Sequence, residues 1–231
     1  RAFRSVVNAV FFPLAFWRSP EKKVRPMIEL PKDARDVLTT WFGTDGLDEP
    51  SPLHQRRWFV RDDAFDTELS QRFQTLLTDP ALTNETEAWE ATALGALARV
   101  VLLDQFPRNI FRDDPRAFAT DPLARAVAER AIARGFDGIV PILHASFFYL
   151  PFEHSETLVD QDRAVALFQA LATRAGPDSA HLPATAANLV VFAEKHRAVI
   201  ARFGRFPHRN AVLGRANTRD EDEFLQSGRG F

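Results

Sequence analysis

Four short stretches of this chain carry residue types that can do chemistry. Two echo each other: LDQFPRN, Leu103 to Asn109, and FGRFPHRN, Phe203 to Asn210, each set Phe-Pro before basic residues and an asparagine. The first brings its own acids, Asp104 and Asp113, whereas the second lies in a window without any. From Lys195 to Arg219 that window holds seven cations, namely Lys195, Arg197, Arg202, Arg205, Arg209, Arg215 and Arg219, together with His196 and His208. Gly204, Pro207 and Gly214 pin this backbone into turns, which would present Arg205, His208, Arg209 and Asn210 as a preorganised anion receptor. The competing reading is structural: the cations pair with this protein's own carboxylates, and removing one partner of such a buried pair typically costs about 3–5 kcal/mol.

The third stretch, LPFEHSE, places His154 two residues before Glu156. An imidazole with a nearby carboxylate suits a general base, or half of a metal site. No histidine pair at i, i+4 and no HExxH pattern supports a metal, and no cofactor is expected. His196 supplies the fourth stretch, on the apolar side of its segment between Phe192 and Phe203, where a hydrogen-bonded core histidine is the plainer reading. Cysteine is absent, which removes thiolate nucleophiles, thiolate metal sites and disulfides. Neither a G-x-S-x-G elbow, a P-loop nor G-x-G-x-x-G occurs.

These residues need positioning, and the apolar spacing is helical throughout. A helix capped by Asp33 and closed by Gly43 buries Val37, Leu38, Trp41 and Phe42. A second repeats Phe65, Leu69, Phe73, Leu76 and Leu77 before Pro80 stops it. A third begins at a capping box of Asn84 and Glu87, carries Trp89, Ala93, Leu97, Val100 and Val101 on one face, and extends that face to Asp104 before Phe-Pro ends it. An unpaired carboxylate there would be costly to bury, so Asp104 needs an arginine, a capping donor or a ligand. Asp121, Pro122 and Gly135 punctuate another helix as cap, first residue and terminator. DQDRAVALFQALATRAG and LPATAANLVVFAEKHRAVIARFG supply two more, and Thr218 with Glu221 caps a last short one. No strand alternation stands out, so the expected fold is all-α, built of antiparallel helical hairpins.

The 231 residues suit one large domain, 27–231, beginning at the only methionine, Met27. Residues 1–26 form an N-terminal arm or extension, with Arg1, Arg4 and Arg18 and no acid before Glu21. Its run VVNAVFFPLAFW has 12 residues and a proline, too short for the roughly 20 apolar positions of a membrane span. A transit-type leader, an anchor contacting a membrane surface through residues 1–20, and a packed arm all stay open. The expected location is therefore cytoplasmic, with organellar or membrane-associated as the alternative. A net charge of −2 argues against nucleic acid as a partner.

WFG, RRWFVRDDAFD, LLDQFPRNIFRDDPRAFATDPLA, LPFEHSE and FGRFPHRNAVLGR occur in this order over residues 33–231. Together they resemble the bacterial family called domain of unknown function 924. The resemblance implies a tetratricopeptide-like helical array and no known reaction. It points to Asp104, Gln105, Arg108, Asn109, His154, Glu156, His196, Arg205, His208, Arg209, Asn210 and Arg215 as the motif positions. His154 and Glu156 are then the candidate catalytic pair, and the other ten the candidate ligand-binding set. The leading expectation is a polar pocket for a small anionic molecule, formed where Arg108, His154, Arg205 and His208 face one open cavity. The alternative is a non-catalytic tetratricopeptide-like scaffold for a peptide or larger protein assembly.

Overall fold

The computed structural model describes residues 30–43, 48, 52–58, 60–175 and 182–227, so the expectations for residues 1–26 lie outside the described residues. Every regular element among the described residues is helical, as the spacing predicts. The first four helices are α1 (Lys32–Phe42), α2 (Pro52–Arg57), α3 (Asp63–Thr78) and α4 (Pro80–Glu85). Then come α5 (Ala93–Val100), α6 (Phe106–Ile110), α7 (Asp121–Ala133), α8 (Ile142–Ser146) and α9 (Leu150–Glu153). The long pair α10 (Leu158–Ala175) and α11 (Leu182–Phe203) packs side by side, and α12 (Arg219–Gln226) ends the described chain.

Several helix ends follow the sequence signals. Gly43 takes the left-handed conformation at φ 76° and donates its N–H to the Thr39 carbonyl, closing α1 over buried Val37, Leu38, Trp41 and Phe42. Gly135 does the same work after α7 at φ 70°. Thr218 and Glu221 form the expected reciprocal capping box of α12.

Three expectations about helix ends are corrected. Asp33 lies inside the first turn of α1, and Pro31 occupies the cap position. The helix expected from Asn84 starts instead at Ala93, with the Thr92 hydroxyl accepting from the Gly95 N–H. Before it, residues Thr86–Ala91 form a 3₁₀ turn that folds back so closely that a Cβ on Gly95 would stand 2.0 Å from the Trp89 carbonyl oxygen. Glycine is required there by close approach. Asp121 is not the cap of α7 either; Thr120 holds that position, and Asp121 turns its carboxylate to an arginine described below.

The Phe-Pro of the first echo does not end its helix, contrary to expectation. Residues Val101–Gln105 widen into a π-turn, and α6 continues the helical path. Proline cannot donate to the carbonyl four residues back, and its ring crowds that position. For Pro107 that carbonyl belongs to Leu103, and the Thr120 hydroxyl donates to it instead at 2.6 Å. The Leu103 carbonyl thus gains a donor from the residue that precedes α7.

α5 and the π-turn lie at the centre, in contact with α1 and α7. Around them Trp41, Phe42, Phe65, Phe106 and Phe147 interlock at ring separations of 5.1–6.0 Å for the Trp41–Phe65, Trp41–Phe106, Trp41–Phe147 and Phe42–Phe147 pairs. One continuous apolar cluster runs from Ala34 to Ala193, and a smaller one of Val199, Ile200 and Phe206 closes the end of α11.

Candidate functional site

The π-turn places Asp104 in the protein interior, fully buried. Its carboxylate receives His154 Nδ1 at 2.8 Å, the Gln105 side-chain amide, and Arg108 Nη1 at 3.3 Å. Burial alone would raise the Asp104 carboxyl, but the charges of Arg108 and His154, with hydrogen bonds from His154 and Gln105, outweigh it and hold the group below the usual carboxylate range. An ionised carboxylate only accepts, so His154 must donate from Nδ1 and carry its lone pair on Nε2. Burial, followed by the Arg108 charge, lowers the His154 pKa, and Asp104 offsets part of this.

Arg108 crosses to the start of α7 and holds Asp121 with both ends of its fork, at 2.8 and 3.0 Å. The second echo reaches the same acid: Arg209 Nη1 lies 3.6 Å from Asp121 Oδ2. The buried Arg209 guanidinium is stacked between Phe118 and Phe206, 4.6 and 4.5 Å from the ring centres, and its Nε has no hydrogen-bond partner. Burial and the neighbouring Arg108 push its pKa down to about 10, which leaves it cationic at neutral pH. Asn109 and Arg112 both donate to Asp66 of α3, anchoring the far side of the first turn.

Glu153, which LPFEHSE offers as a possible partner for the cations, has a different part. It is buried, and burial together with the charge of Asp104 pushes its carboxyl up to about 8, so it is mainly protonated at pH 7. His196 Nδ1 lies 3.2 Å from Glu153 Oε1 and 2.9 Å from the Phe192 carbonyl, and burial holds this ring neutral with a pKa of about 3. His208 is likewise kept neutral, its pKa lowered to about 4 by burial and by Arg209. The site therefore combines fixed cations, one ionised buried carboxylate, one protonated carboxylic acid and neutral imidazoles.

Two of the clefts that open onto these groups meet at His154. The larger, about 620 Å³, is lined by Arg57, Arg61, Arg108 and Arg112, by Gln105, Asn109, Glu153, His154, Thr185, Asn188 and His196, and by the apolar Trp58, Val60, Leu150, Leu189 and Phe192. The smaller, about 390 Å³, holds His208 and Arg209. Arg108, His154 and His196 line both.

The remaining motif positions stand elsewhere. Glu156 accepts the Phe206 N–H at 2.8 Å and both Arg215 nitrogens at 2.6 and 3.0 Å. Arg205 holds Glu221 at 2.6 and 2.7 Å and the Ala216 carbonyl at 2.9 Å, while Asn210 donates to Asn217. Glu156, Arg205, Asn210 and Arg215 line neither cleft, and the carboxylate bonded to His154 is that of Asp104. Of the four residues expected to share one cavity, Arg108, His154 and His208 line the smaller cleft and Arg205 does not.

Among the described residues, no group of three or more His, Asp or Glu is arranged to hold a metal ion, and no helix is long and apolar enough to cross a membrane. Comparison with curated proteins returns no match. Among solved structures, a protein of unknown function from Agrobacterium tumefaciens is 39% identical, with a TM-score of 0.70, over 84% of this chain and 97% of that one. The model of a family described as bacterial protein of unknown function, DUF924, matches residues 37–229. A match over most of the length, carrying all four chemistry-bearing stretches, places the chain in that family.

Proposed function

We propose that the cleft binds a small anionic molecule at the wall formed by Arg108, His154 and His196, and that His154 exchanges a proton with it. The observation that carries this reading is the bond from His154 Nδ1 to buried Asp104 at 2.8 Å, in a residue that lines both clefts. Orientation by a buried carboxylate fixes the tautomer and makes Nε2 the basic nitrogen, the arrangement general bases use. Asp104 takes the role the sequence suggested for Glu156, whose carboxylate is occupied in fastening the second turn. Glu153, mainly protonated at neutral pH, supplies an acid on the same wall, and two groups with pKa values driven apart are suited to opposite ends of a proton transfer.

Thermal unfolding against a panel of acetate, citrate, phosphate and nucleotide tests the binding. A ligand at 100 times its dissociation constant adds about 2.7 kcal/mol of stability. The stabilisation should disappear in Arg57→Ala or in a folded Arg209→Ala. An undiminished shift in both variants rejects this site. A panel without any shift favours the tetratricopeptide-like scaffold reading, with a peptide or protein partner.

A further inference from the structure

We propose that the occupant of the larger cleft is an amphiphilic monocarboxylate, an acyl or arylalkyl acid, with its carboxylate at the arginines and its hydrocarbon body against Trp58, Leu150, Leu189 and Phe192. The inference rests on the anion reading above and names its chemistry.

The charge count of the wall selects a single negative charge. Arg108 is held by Asp104 and Asp121, Arg112 by Asp66, and Arg61 by Asp63 at 2.7 Å. Arg57 has no carboxylate partner among the described residues; its guanidinium lies over the Phe65 ring at 5.0 Å. Four acids thus stand behind three of the four lining arginines, and Arg57 alone is left for a single negative charge. A phosphate dianion would face repulsion from the same aspartates that fix the arginines, whereas a carboxylate matches both the charge and the planar fork of a guanidinium.

Apolar side chains in the lining, with Thr185 and Asn188 among them on α11, offer surface to a hydrocarbon. Phe192 is a large apolar residue that leaves 43% of its surface exposed, and it stands at the cleft beside Leu189 one turn earlier on α11. The Trp58 indole N–H is spent on the Trp41 carbonyl at 3.1 Å, so Trp58 offers the cleft a ring and no donor. Leu150, at the start of α9, adds a further apolar contact. Sugars and short dicarboxylates would leave these groups against water or against unmatched hydroxyls, while a hydrocarbon removes both from solvent.

Calorimetric titration of the folded chain with acetate, butyrate, hexanoate, octanoate and 3-phenylpropionate, with octanol and inorganic phosphate as controls, reads the proposal directly. Affinity should rise about fourfold per added methylene until the cleft is filled. Phe192→Ser, at an exposed position, should flatten this series, with circular dichroism confirming the helical content. Octanol binding as tightly as octanoate, or phosphate binding as tightly as the longer acids, overturns the monocarboxylate assignment and leaves the anion reading standing. Absence of binding by every anion overturns both.

Discussion

The two Phe-Pro turns use nearly the same letters for different ends. In the first, the polar groups point inward: Asp104 is buried and holds His154, and Arg108 spans to Asp121. In the second, most polar groups fasten the turn itself. Glu156 takes the Phe206 N–H and Arg215, and Glu221 takes Arg205. Five cations of the acid-free second window, Arg197, Arg205, Arg209, Arg215 and Arg219, therefore find partners in this protein's own carboxylates, and Arg209 leans on the same Asp121 as Arg108. One turn carries reactive groups, and its echo builds a rigid wall beside them. Similar sequence predicts similar backbone; the surroundings of each charge decide what it does.

The largest expected contrast is between the two central carboxylates. Asp104→Ala leaves Arg108 and His154 facing a buried void and should cost about 3–5 kcal/mol. Glu156→Ala removes bonds from a carboxylate about one quarter exposed, and should cost about 1–2 kcal/mol. Urea unfolding of both variants measures the difference, and equal losses would erase the distinction between the turns.

Next come the glycines that lead into each turn. Gly95→Ala drives a methyl group into the Trp89 carbonyl, an overpacking expected to cost about 1–3 kcal/mol. Gly204 sits at φ 70° with open space around it, so Gly204→Ala meets only the left-handed backbone penalty of about 1 kcal/mol. A larger loss at Gly204 than at Gly95 would reverse the ranking of the two regions.

The last contrast concerns pH. Glu153, beside the first turn, has a folded pKa of about 8 against an ordinary 4.5. Its contribution is complete below pH 4.5 and is lost as pH rises through 8. His208, in the second turn, has a folded pKa of about 4 against 6.5, so its contribution is present above pH 6.5 and is lost as pH falls toward 4. Glu153→Gln should flatten the fall in melting temperature between pH 4.5 and 8, and His208→Gln the rise between pH 4 and 6.5. Both variants changing the slope in the same direction would contradict the assignment.

The helical fold was legible because its punctuation is local: Gly43 and Gly135 end helices, and Thr218 with Glu221 starts one, through bonds within a few residues. The π-turn was hidden because VVLL is apolar on every side, so its spacing cannot distinguish one helical period from another. Asn84 with Glu87 has capping-box spacing, yet the close approach of Trp89 to Gly95 moved the helix start to Thr92. In the site, the motif letters named Asp104, Arg108 and His154 but not their pairing, which joins positions 50 residues apart. Glu153 could be read only as one possible partner for the cations; its burial, where α11 meets α9, is tertiary.

The π-turn at Val101–Gln105 also sets an angular phase. An α-helix advances about 100° per residue, and a π-turn accommodates one residue more than an α-turn does. Everything beyond it, from Phe106 to Ile110, is rotated by about that amount relative to an uninterrupted helix. In the uninterrupted register Arg108 would leave the direction of Asp121, so the meeting of the two echoes depends on a single surplus residue in the helix that feeds the first.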